Sequence, residues 1–199
     1  MDMPVLPGPH PAQPSDRIRQ LTPPARRRAR RAVEPPRPPA QEIVSQALIR
    51  LRRTIEHYRY GVAADDATAI RIAMDLHIVR VRDEAWLAVQ AEPALLATML
   101  ADVAKRTEHA FLAPVGSLRA IAAWYQDDRD LTSRAIAEVL AVSPRYSMAH
   151  LLVALMRYEV PPEKVRERLG TPTELDLLMG PPRPAWLWPL HRSLRGYLD

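Results

Sequence analysis

Cysteine is absent from this 199-residue chain, lysine occurs twice against 26 arginines, phenylalanine once, and glycine only six times. Without cysteine there can be no disulfide, no thiolate metal site and no cysteine nucleophile. With so few glycines, none adjacent, no Gly-rich loop is available to cradle a nucleotide phosphate. No apolar run approaches the ~18 residues that a membrane span requires. The first residues also lack the basic-then-apolar order of a secretory signal, so a soluble cytoplasmic protein without membrane attachment is the expectation.

Proline, by contrast, is abundant, with 21 residues, and it is unevenly placed together with the charge. Residues 1–40 hold 11 of the 21 prolines, and eight arginines against three acidic residues, which is the whole of the formal +5. Residues 41–199 hold 20 basic and 20 acidic side chains and are formally neutral. A segment so poor in apolar residues cannot offset the entropy of ordering its backbone, so residues 1–40 are read as a disordered basic Pro/Arg-rich tail. Its arginines, Arg17, Arg19, Arg26, Arg27, Arg28, Arg30, Arg31 and Arg37, form a polycation suited to nucleic-acid phosphate. Engagement of all eight would give a log–log salt slope near ~−7, largely blind to sequence. Arg50 and Arg53 share a face of the first predicted helix with His57 and extend this candidate polyanion-binding set into the body.

From residue 41 the apolar spacing becomes helical. Val44, Leu48, Leu51, Ile55 and Tyr58 mark one face, bounded by Pro39 and Gly61. Asp65 or Asp66 can cap a second helix with Ile70, Met74 and Ile78 inward, and a break is expected near Val81-Arg82-Asp83. Further helices are expected to about Gln90, from Pro93 with Leu96, Met99, Leu100 and Val103 inward, and through Leu118, Ile121 and Tyr125. The turn Asp127-Asp128-Arg129-Asp130 precedes a helix that Ser143-Pro144 stops. Met148, Leu151, Leu152 and Leu155 line another, and Glu163–Leu169 forms a short last one. No stretch has the alternation of a strand. The expected fold is all-α, a bundle of antiparallel helical hairpins over residues 41–170, preceded by the tail.

Two motif-bearing segments resemble a known family. Leu76–Trp86 carries Val81-Arg82-Asp83, followed by Ala85-Trp86. Residues 122–152 carry Ala122-Ala123-Trp124, an alanine-rich helix and Ser143-Pro144-Arg145-Tyr146-Ser147-Met148-Ala149. Together they resemble the C-terminal half of the actinobacterial domain of unknown function 4192 family over residues 65–162. The family's glycine-bearing turn is replaced here by Asp127-Asp128-Arg129-Asp130, and its longer N-terminal half by the Pro/Arg tail. Residues 114–144 also resemble one tetratricopeptide-type hairpin.

Chemistry is sparse. His57, His77, His109 and His150 fall on separate predicted helices with no metal-ligand spacing, and the aspartates at 127–130 lack the glycine and terminal glutamate of a calcium loop. No nucleophile elbow or phosphate loop occurs, so neither a catalytic set nor a cofactor is expected. Residues 171–199 are read as a Pro/Trp-containing extension packing on the body, in which Trp186 and Trp188 are candidate partner-binding residues. Two functions remain from the sequence: a non-catalytic helical module that holds another protein, and an accessory protein whose tail grips nucleic acid.

Overall fold

A computed structural model describes residues 39–198 of the chain, and the eight tail arginines lie outside them. Helix α1 (Ala40–Arg59) starts directly after Pro39 and ends at Tyr60-Gly61, where Gly61 takes φ 74°. Its inward stripe holds the expected Val44, Leu51, Ile55 and Tyr58 together with Ala47 and Thr54, while the expected Leu48 packs half-buried at its edge. Asp65 caps α2 (Asp66–Asp75), its side chain accepting the Thr68 N–H at 2.7 Å.

The inner face of α2 is Ala69, Ile72 and Ala73, continued by Leu76 and the expected Ile78 beyond its end; of the other two expected residues, Met74 packs half-buried against the core and Ile70 is exposed. Two alanines let this helix approach closely, and that shifts its buried stripe away from the larger side chains. The break also differs. Val81-Arg82-Asp83 lies inside α3 (Val79–Ala91), and the chain turns instead at residues 76–78. Leu76, His77 and Ile78 are all buried, and three consecutive side chains cannot share one face of a straight helix.

Next come α4 (Pro93–Lys105), opened by Pro93 in its first turn, and a 3₁₀ turn, His109–Phe111. Helix α5 (Leu112–Trp124) forms the centre of the bundle, nearly all its residues being buried. A turn at 125–128 reverses the chain into α6 (Arg129–Val142), whose N-terminus Asp128 caps by accepting the Leu131 N–H at 2.8 Å. This turn serves as a helix cap, as its sequence implied. Two further helices follow, α7 (Ser147–Arg157) and the short α8 (Pro162–Arg166). Met148, Ala149 and Leu152 face inward from α7, whereas Leu151 is exposed, against expectation.

The segment after residue 170 is more ordered than its turn-forming composition implied. Thr171 and Glu174 form a reciprocal capping box that opens α9 (Pro172–Met179). A second 3₁₀ turn, Pro184–Leu187, leads into α10 (Trp188–Leu198). Leu187 and Leu190 enter the main core, so this extension covers the bundle. The described residues form ten α-helices and no strand.

Candidate functional site

The most unusual group in the core is Arg80, 1% exposed, one turn before Glu84 on α3, which is 6% exposed. A guanidinium is desolvated at high cost unless its charge and donors are matched. Arg80 Nη1 lies 2.7 Å from Glu84 Oε2, off the line of an ideal hydrogen bond. Its Nε donates to Asp176 Oδ1 at 2.9 Å, with Nη2 2.7 Å from the same oxygen and 3.4 Å from the Pro172 carbonyl. Arg52 Nε donates to Glu84 Oε1 at 2.5 Å, and that bond raises the Arg52 pKa. Two cations and two anions thus run in a chain from α1 through α3 to α9.

Helix α9 is fixed by this chain and by little else. None of its side chains is buried, and Leu177 and Leu178 are 80% and 85% exposed. Beside it lie two cavities, of 510 Å³ and 590 Å³, that share Leu87 and Gly170. The first has Leu51, Ile55 and Ala88 in its wall with Arg52 and Arg166; the second adds Trp86, Leu169, Leu175 and Leu178. The strap between α8 and α9 is held by Gln90, whose Nε2 donates to the Arg166 carbonyl at 3.1 Å, and by the Arg166 guanidinium 5.2 Å above the Tyr125 ring. The result is an apolar groove along α3, edged by charge and by the exposed leucines of α9.

The residues singled out by sequence are not gathered here. Arg50 grips Asp75, with Nε donating to Oδ2 at 2.7 Å and Nη2 to Oδ1 at 3.1 Å. Asp75 is 3% exposed, and burial raises its pKa while Arg50 opposes the rise. Arg50 is therefore engaged in holding a buried carboxylate, while Arg53 and His57 stand exposed. The two tryptophans part company. Trp186 packs against the core and Trp188 is 64% exposed. Arg80, Glu84 and Asp176 were not identified from sequence, but the Thr171-Pro172-Thr173-Glu174 capping box was a readable sign of α9. Among the described residues no group of three or more His, Asp or Glu side chains could hold a metal ion, and no helix is long and apolar enough to cross a membrane.

The fold and this groove define an all-α helical bundle with the short helix α9 pinned to its side by the ion chain. The chain belongs to the family described as "Domain of unknown function (DUF4192)", whose model matches residues 5–163. The match reaches back through the Pro/Arg-rich segment, well before the motifs at 76–86 and 122–152, and stops short of α9. No curated protein and no solved structure matches the chain.

Proposed function

We propose that this protein is a non-catalytic helical interaction module, acting in the cytoplasm, that receives an apolar segment of a partner protein in the groove between α3 and α9. The observation that carries the reading is the pairing of a buried ion chain with an unburied helix. A surface helix normally earns its place by covering apolar residues. Here α9 covers little: its Leu175 and Met179 are only half-buried, and a fully desolvated guanidinium holds it in a fixed position with Leu177 and Leu178 outward. Cavities of this size, apolar and edged by charge, suit the side-chain anchors of a docked helix or extended peptide. The α5–α6 hairpin, with small residues at its crossing, supports a tetratricopeptide-like character for the centre of the module.

The test is quantitative affinity capture from the native host with wild type, Leu177→Glu/Leu178→Glu and Trp188→Ala. Loss of the same specific partners in the leucine variant, with circular dichroism unchanged, supports the groove. An identical partner set in all three chains refutes it. A second reading rests on the confinement of the entire +5 to residues 1–40: the tail binds nucleic acid through phosphate. Full-length and Δ1–40 proteins titrated with unrelated duplexes at several salt concentrations test it, and absence of binding at low salt rejects it.

A further inference from the structure

Segments far apart in sequence converge on a cavity of 380 Å³ on a different part of the bundle: Arg82 from α3, Arg145 and Tyr146 from the α6–α7 connection, Ser147 from the start of α7, and Arg192 from α10. Its wall contains no carboxylate. Arg82 is matched by its neighbour Asp83, at 2.7 Å and 2.9 Å, which orients the guanidinium and cancels its net charge. Arg145 and Arg192 are exposed and pair with no carboxylate among the described residues. Two unmatched cations at one concavity concentrate a positive potential there.

The backbone adds donors. Helix α7 is 11 residues long, and no side chain caps its N-terminus, so its first-turn N–H groups and the positive end of its dipole stand beside the cavity. His77, also in the wall, is 7% exposed, with Nδ1 3.0 Å from Ser193 Oγ and the Phe111 carbonyl beside its ring.

We propose that this cavity binds the phosphate group of a small phosphomonoester. The two unmatched guanidinium groups match the charge of about −1.5 to −2 that a monoester carries at neutral pH, and guanidinium is suited to oxyanion geometry. Ala113, Val142 and Pro189 supply an apolar wall for a compact organic part. The volume lies in the range of about 300–1,000 Å³ typical of small-ligand sites. The site shares no residue with the α3–α9 groove apart from Arg82, which borders both regions.

The experiment is calorimetric titration of the full chain with inorganic phosphate, O-phosphoserine and serine, each at ionic strength matched with chloride, and with a short duplex DNA. Arg145→Gln/Arg192→Gln is compared with Arg129→Gln, an exposed arginine outside the cavity. Saturable binding of phosphate and O-phosphoserine, but not serine, is expected. It should weaken at least about tenfold in the double variant and stay unchanged in Arg129→Gln. No saturable binding above the chloride control, or equal affinity in both variants, overturns the proposal. Duplex binding lost in the double variant without any phosphoserine binding also overturns it, since the site would then serve a nucleic-acid backbone. Thermal melting verifies that the double variant remains folded, and 2D NMR perturbation by O-phosphoserine at Ser147 and His77 gives a second readout independent of affinity.

Discussion

Gly116 sits in the middle of α5 where a methyl group would have nowhere to go. A Cβ built on it would lie 2.5 Å from Val139 Cγ2 on α6 and 4.0 Å from Leu112 Cγ. Carbon atoms rest about 3.5–4.0 Å apart, so Gly116→Ala demands that something move by an ångström or more. Val139 is fully buried and, as a β-branched residue in a helix, has one strongly preferred rotamer. The relief must therefore come from separating α5 and α6, at an overpacking cost of about 1–3 kcal/mol. The change also brings a helix-propensity gain of about 0.8–1 kcal/mol. The expected net loss is about 0–2 kcal/mol, or up to a few degrees in Tm for a domain of this size.

The decisive measurement is a double-mutant cycle with Val139→Ala, followed by urea denaturation with far-UV circular dichroism and tryptophan fluorescence at constant m-value. Val139→Ala alone leaves a hole and costs about 1–3 kcal/mol. In that background the clashing methyl is gone, so Gly116→Ala should become neutral or stabilising as the propensity gain remains. The sign of one substitution should thus reverse according to the residue opposite. If Gly116→Ala is stabilising alone, or if the two effects add, the close α5–α6 approach is wrong and the centre of the fold with it.

Removing Arg80 should be far more damaging than removing its exposed partner: Arg80→Met leaves buried Glu84 under-matched, at about 3–5 kcal/mol. Asp176→Asn, on a 65%-exposed carboxylate, should cost about 1 kcal/mol or less and release α9 locally, visible as faster amide exchange confined to residues 172–179. Equal effects of the two substitutions would refute α9 as a pinned element. Glu159 holds φ 50° and Gly180 holds φ 69° with ψ −163°. Glu159→Gly should therefore raise stability by up to about 1 kcal/mol, and Gly180→Ala should lower it by about 1–3 kcal/mol; thermal melts showing the reverse order would contradict those backbone angles. Burial lowers the His77 pKa from 6.5 to about 4, against a smaller opposing effect of the Phe111 carbonyl. The unfolded chain then binds the proton more readily, so this contribution is complete above pH 6.5 and is lost as pH falls towards 4, by about 2 kcal/mol at pH 5. His77→Gln should flatten stability between pH 7 and 5, and an unchanged slope would show that His77 is solvated.

What could be read from the sequence was what is encoded locally. The stripe Val44-Leu51-Ile55-Tyr58 is a periodicity within one helix, and it appears as expected. The Asp128 cap is set by its own next three residues. The failures are tertiary. Arg50 looks like a basic surface residue until Asp75, 25 positions on, is placed against it. Arg80 looks like a solvated face until Asp176, 96 positions away, arrives. Ile70 is exposed because neighbouring alanines, not the largest side chain, decide which face packs closest. In α9 the side chains of Leu175 and Met179 are half-buried while Leu177 and Leu178 face outward, and only the placement of the helix shows the difference.

The neutral body conceals a division that net charge cannot express. Arg50, Arg52 and Arg80 are each matched to a carboxylate on another helix: Asp75, Glu84 and Asp176. These pairs hold elements in register, because a mispaired helix would strand a desolvated charge. Arg145 and Arg192 have no carboxylate partner among the described residues and stand at the same concavity. Two segments far apart in sequence, through Arg82 on one side and Ser143, Arg145, Tyr146 and Ser147 on the other, meet in its wall. Val81 and Ala85 of the first segment lie in the core. The polar members of the two segments instead line solvent-reachable space, which separates a structural half of each segment from a half free to meet a ligand.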